Sequence, residues 1–188
     1  LLSLWLLMIN NANSQCVFGN FPPTYTTSSS FGANYLLGVK FNLASTGTLT
    51  GLGYRGNGTS IPMRMAIYTD VSGVTGTLVA MTNTVLNSLG NTILPVTATT
   101  VIPAGNYWVM GIYASGPFNQ VNYTNSAPSN TVSYIAWPFG SLPPTSASWI
   151  TYTGQDLDYW AVISGTTPTV SISGPTVSLC SGNSVPLT

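Results

Sequence analysis

Histidine and glutamate are absent from this 188-residue chain, and charge of either sign is scarce. Lys40, Arg55 and Arg64 are the cations and Asp70, Asp156 and Asp158 the anions, together 3% of residues. An ordinary globular chain carries about 25%. Without histidine, no Ser-His or Cys-His dyad exists within the chain, and a histidine-ligated metal is excluded. Without glutamate, the two-carboxylate chemistry of glycoside hydrolysis has three aspartates to draw on. The expectation is therefore not an enzyme. With a net charge of +0 and no basic patch, nothing neutralises phosphates, so nucleic acid is excluded as a partner.

Long apolar runs are also missing. The longest, residues 1–9, is too short for a transmembrane span, which takes about 20 residues. Small residues follow it at Ala12 and Ser14, the two positions a signal peptidase reads. Residues 1–14 thus read as the remnant of a secretory signal peptide with cleavage before Gln15. A second reading keeps the run as an apolar arm that completes a sheet in a neighbouring copy. Either reading places the chain outside the cell or on its surface. The two cysteines, Cys16 and Cys180, are disulfide candidates in that setting. Their spacing leaves three possibilities open: Cys16 with Cys180, Cys180 with a residue beyond the sequence, or Cys180 with Cys16 of another copy.

What is abundant is short alternating segments. Residues 35–42 put Leu37, Val39 and Phe41 on one face, and residues 47–54 alternate in the same way. Residues 63–68 set Met63, Met65 and Ile67 against Arg64 and Tyr68. Asp70 opens a glycine-rich loop and is expected to cap its own turn. Residues 78–84 and 91–96 are further strands. Pro103-Ala104-Gly105 is a tight turn that launches 107–113, with Trp108, Met110 and Ile112 as an apolar face. Segments 121–124, 131–137, 149–152 and 158–163 follow, and residues 16–33 are an extended lead-in with one edge strand. About ten short strands with regular turn signals, and no amphipathic helix, predict an all-β fold: a two-sheet antiparallel β-sandwich of jelly-roll type over residues 15–163. Residues 164–169 are a linker by composition.

Beyond the linker, residues 170–173 and 177–180 alternate again. Val170, Ile172, Val177 and Leu179 carry the apolar positions. Two strands do not make a core. These residues are expected to pair with a following domain or a neighbouring copy, which makes self-association the leading partner expectation.

Two segments carry a resemblance. Ala66-Ile67-Tyr68-Thr69-Asp70, then Gly76-Thr77-Leu78-Val79-Ala80, Asn91-Thr92-Ile93-Leu94-Pro95 and Pro103-Ala104-Gly105-Asn106-Tyr107-Trp108 resemble a β-sandwich module of secreted bacterial surface proteins, over roughly residues 35–163. Residues 170–188, with Ser173-Gly174-Pro175 and Cys180-Ser181-Gly182-Asn183-Ser184-Val185-Pro186-Leu187-Thr188, resemble the opening strands of immunoglobulin-like repeats in bacterial adhesins. Pro186 departs from the Ser-Val-Thr-Leu-Thr usual there. The resemblance implies export, a surface or matrix location and an interaction role, with no catalytic residues.

Three local features are candidate sites. Asp156 and Asp158, two apart on an extended chain, lie roughly 6.6 Å apart on one face. They are a calcium candidate, weighed against a solvated turn, because calcium wants more oxygens than two carboxylates supply. No other cofactor is expected. Trp149, Tyr152 and Tyr159 are a candidate platform for stacking on sugar rings, weighed against ordinary core aromatics. Asn57-Gly58-Thr59 and Asn122-Tyr123-Thr124 are glycosylation sequons. The functional expectation is a non-enzymatic extracellular structural or adhesive module that builds a filament or surface layer by strand addition. A carbohydrate-binding module is the competing expectation.

Overall fold

The structure is a computed structural model that describes residues 15–21, 23–29, 33–115, 121–141 and 148–165. It is all-β, with two antiparallel sheets packed face to face. Twelve strands are described: β1 (Gln15–Gly19), β2 (Thr27–Ser29), β3 (Tyr35–Leu43), β4 (Gly47–Asn57), β5 (Pro62–Val71), β6 (Val74–Met81), β7 (Val85–Leu86), β8 (Leu89–Ile102), β9 (Gly105–Tyr113), β10 (Val121–Ala136), β11 (Ile150–Leu157) and β12 (Tyr159–Ser164). No described residue is helical, and none lies in a helix long and apolar enough to cross a membrane.

One layer runs β11–β10–β3–β9–β5–β6, with β7 beside β5. The other runs β1–β12–β4–β8. β10 joins them. Val121 at its start pairs with Gly56 of β4, and Val132 to Ala136 near its end pair with β3. On the far side an isolated bridge, Thr82↔Val96, ties the turn after β6 to β8.

The alternation read from the sequence sorts side chains as the layers require. Met63, Met65 and Ile67 of β5 face the inter-sheet core with Leu37, Val39 and Phe41 of β3 and Leu49, Leu52 and Tyr54 of β4. Arg64, Ala66 and Tyr68 face outward. Trp108, Met110 and Ile112 do form an apolar face, but it is not the one that meets the second sheet. Tyr107, Val109 and Tyr113 do that. Trp108, Met110 and Ile112 join Leu36, Ala66 and Tyr68 in a second cluster on the outer face, against Trp137, Phe139 and Trp149. β9 is thus buried on both faces from Tyr107 to Tyr113, and β5 from Met63 to Tyr68. Each large apolar side chain so enclosed contributes about 1.5–3 kcal/mol.

Two predicted segments fuse in the structure. Residues 121–124 and 131–137 belong largely to the 16-residue β10. Residues 91–96 lie within the 14-residue β8. β8 absorbs its length as a bulge: Leu49 pairs with Thr100 while Gly51, two residues on, pairs with Pro95. The extra residues turn toward β6, where the Thr97 hydroxyl donates to the Met81 carbonyl at 3.2 Å. Residues 1–14 and 166–188 lie outside the described residues.

Within the core Tyr113 Oη lies 3.0 Å from Tyr159 Oη, with both residues fully buried. Burial is the main cause that raises the pKa of each phenol, so both stay protonated. Gly111 makes room for the pair, since a Cβ there would run into the Tyr159 hydroxyl. Replacing one tyrosine leaves the other hydroxyl buried without its partner, whereas replacing both removes two polar atoms together. Tyr159→Phe is expected to lower unfolding free energy in urea by about 1–3 kcal/mol. Tyr113→Phe/Tyr159→Phe is expected to lose less than the sum of the single changes. Strict additivity would contradict the pairing.

Candidate functional site

Asp156 is the penultimate residue of β11 and Asp158 sits at the bend before β12. Neither is in a solvated turn: they are 1% and 0% exposed. The reason is the lead-in. Asn20 and Tyr25 of the lead-in lie against both acids: Asn20 N–H donates to the Tyr159 carbonyl at 2.9 Å, and both side chains reach Asp156. Asn20 Nδ2 donates to Asp156 Oδ1 at 2.5 Å, Tyr25 Oη to Asp156 Oδ2 at 2.8 Å, and the Leu157 amide to Asp156 Oδ1 at 2.8 Å. The Asp158 main chain bridges two strands: its N–H donates to the Asn122 carbonyl at 2.9 Å, and its carbonyl accepts from the Arg55 N–H at 3.1 Å. Tyr25 O accepts from Asn122 Nδ2 at 2.6 Å and from Arg55 Nη1 at 3.3 Å.

The Asp158 carboxylate has no hydrogen bond of ordinary geometry among the described residues. Burial pushes its pKa up from the usual 3.8 to about 6. The Tyr25 amide, the Arg55 charge and the Thr24 amide pull the other way, and Asp156 adds to the rise. This arrangement does not favour calcium. Both Asp156 oxygens already accept from N–H or O–H donors, and Arg55 sets a positive charge beside Asp158. Among the described residues no three His, Cys, Asp or Glu side chains gather as a metal site. The acidic pair instead anchors the lead-in to β4, β10 and β12.

The sugar platform does not form as a unit. Tyr159 is fully buried in the inter-sheet core, because its place on β12 opposite Tyr54 turns it inward. Tyr152 lies on β11 opposite Val132. Trp149 is half-buried and meets Tyr68 edge-on, ring centroids 5.4 Å apart. Asp70 caps its turn as expected, accepting from the Gly73 amide at 3.1 Å. It also accepts from Trp108 Nε1 at 2.8 Å and lies 4.0 Å from Lys40 Nζ, which sits over the Trp108 ring.

Of the remaining candidates, Val170, Ile172, Val177, Leu179 and Cys180 lie outside the described residues. Cys16 is buried in β1 and disulfide-bonded; its partner is likewise outside them. Asn122 is buried with its carboxamide on Tyr25 O, so its sequon is closed in the folded chain. Sheet edges were not among the sites anticipated in detail. β8 stands out among them: it exposes Leu89 (79%), Ile93 (52%) and Val101 (66%) and carries no charged residue. The chain matches no family model and no curated protein.

The raised Asp158 pKa sets a direction for stability against pH. The folded state holds its proton more tightly than the unfolded chain, so the contribution is most favourable below about pH 4. It declines as pH rises toward about 6 and is level above that. At about 1.4 kcal/mol per pH unit, reduced for partial screening, the loss is on the order of 1–3 kcal/mol. Asp158→Asn is expected to abolish this decline in urea denaturation between pH 4 and 7. An unchanged profile would show that Asp158 ionises freely.

Proposed function

We propose that the chain is a non-enzymatic extracellular structural module that assembles with copies of itself or with following domains by β-strand addition. The observation that carries this reading is the β8 edge. Among the described residues, residues 89–94 hydrogen-bond to β4 on one side and to no strand on the other. Edge strands left exposed are templates for pairing, and natural sheets guard them with lysine, proline, bulges or covering loops. The second half of β8 is guarded by Pro95 and the bulge. Among the described residues nothing guards the first half, and Leu89 and Ile93 project from it into solvent.

The donor in this reading is one of the two short strands read at 170–173 and 177–180, each with one apolar face, Val170 with Ile172 in the first and Val177 with Leu179 in the second. Added to β8, that face would lie beside Leu89 and Ile93. The scarcity of charge supports the same view, since net charge normally keeps copies of a protein apart. An export signal before Gln15 and a surface location complete the proposal. It favours structure and adhesion over sugar binding because Tyr159 is committed to the core.

Leu89→Lys/Ile93→Lys places charges on exposed positions that make no core contact. Sedimentation velocity is expected to show assemblies of the full chain reduced to monomers, with an unchanged β-sheet circular dichroism spectrum. Deleting residues 168–188 is expected to do the same. Assemblies that persist in both variants would contradict strand addition at this edge.

A further inference from the structure

Arg64 projects from β5 on the outer face of its layer and is only 8% exposed. A buried guanidinium is normally paired with an anion, because leaving water uncompensated costs several kcal/mol. Among the described residues Arg64 has no such partner. The chain offers three side-chain carboxylates, and all three are placed elsewhere. Asp70 is held by Lys40, Trp108 and its own turn. Asp156 is held by Asn20, Tyr25 and the Leu157 amide. Asp158 lies in the field of Arg55. Arg64 itself donates through Nη2 to the Ser141 carbonyl and lies over the Phe139 ring at 5.7 Å. Its Nε–H is buried with no partner among the described residues.

Two more buried groups with a proton to donate share this face and also lack partners among the described residues: Tyr68 Oη and Trp149 Nε1. Tyr68 is four residues from Arg64 on the same side of β5, and the small Ala66 lies between them. Trp149 packs against Tyr68. Burial keeps the Tyr68 hydroxyl protonated, and the Arg64 charge is felt there as an opposing effect. Three donors without an acceptor, one of them a cation, call for an anion with lone pairs on more than one atom. The surroundings are aromatic and aliphatic, with Phe139, Trp149 and Ile112 in the same cluster. An organic body fits such walls better than a bare inorganic ion.

We infer that the outer face of β5, between Phe139 and Trp149, is a binding site for the carboxylate of a small organic acid. Arg64 supplies the counter-charge, and Tyr68 Oη and Trp149 Nε1 supply directed donors. This inference stands apart from assembly at β8, since none of its residues lies on that edge.

The test is thermal unfolding of the full chain titrated with sodium acetate, sodium D-glucuronate and, as the ionic-strength control, sodium chloride. At about ten times its Kd, a carboxylate that binds the folded state raises Tm by about 3–6 °C. Acetate or glucuronate is expected to do so where chloride does not. A larger effect of glucuronate would mean that the site also reads the sugar body. Arg64→Gln is expected to abolish the effect. Should that variant fail to fold, Tyr68→Phe removes one oxygen only and is expected to weaken the Kd about five- to tenfold. No carboxylate effect beyond that of chloride, or an effect unchanged in Tyr68→Phe and in a folded Arg64→Gln, would overturn the inference.

Discussion

Burial of β5 and β9 on both faces is the constraint that organises this molecule. Most strands of a sandwich face solvent on one side and alternate accordingly. Here Met63 to Tyr68 and Tyr107 to Tyr113 are enclosed throughout. Their inner faces need the second sheet, and β4, β8 and β12 supply it. Their outer faces need another cover, which Trp137, Phe139 and Trp149 supply in part. The chain leaving β10 and entering β11 therefore serves as a lining of a second, smaller core as well as a connection.

Scarce charge gives each ionisable residue a definable task. Lys40 and Asp70 form the one ion pair among the described residues and fix Trp108 between them. Arg55 with Asp156 and Asp158 fastens the lead-in across one sheet. Arg64 remains, buried and without an anion among the described residues. In a protein with many surface carboxylates such an arginine would find a neighbour by chance. Here the composition forbids it, which makes its position informative. The same scarcity leaves the β8 edge without the lysines that usually keep sheets from meeting.

Much of the fold was legible in the sequence because alternation has a local cause. The inward set of Met63, Met65 and Ile67, the turn before β9 and the cap at Asp70 each depend on residues a few positions apart. Less local features were not legible. That Trp108, Met110 and Ile112 face a second cluster depends on a segment some thirty residues later in the chain. That Asp156 and Asp158 are buried depends on Asn20 and Tyr25, more than a hundred residues earlier. Spacing alone weighed calcium against a solvated turn for the two acids, and long-range packing buries both of them. Tyr159 was open to both a platform and a core reading, and its register with Tyr54 turns it inward. The fusion of two segments into β10 was hidden because residues 125–130 show no alternation of their own, and their strand is set by its pairing with β11.

The most direct measurement is native-state amide hydrogen exchange resolved by residue. Amides of β5 and β9, enclosed on both faces and hydrogen-bonded to neighbours on both sides, should exchange slowest, at a rate set by global unfolding. Those of residues 89–94 on β8 should exchange much faster. Amides of Tyr107 to Tyr113 exchanging as fast as the β8 edge would contradict the doubly buried centre on which the account rests.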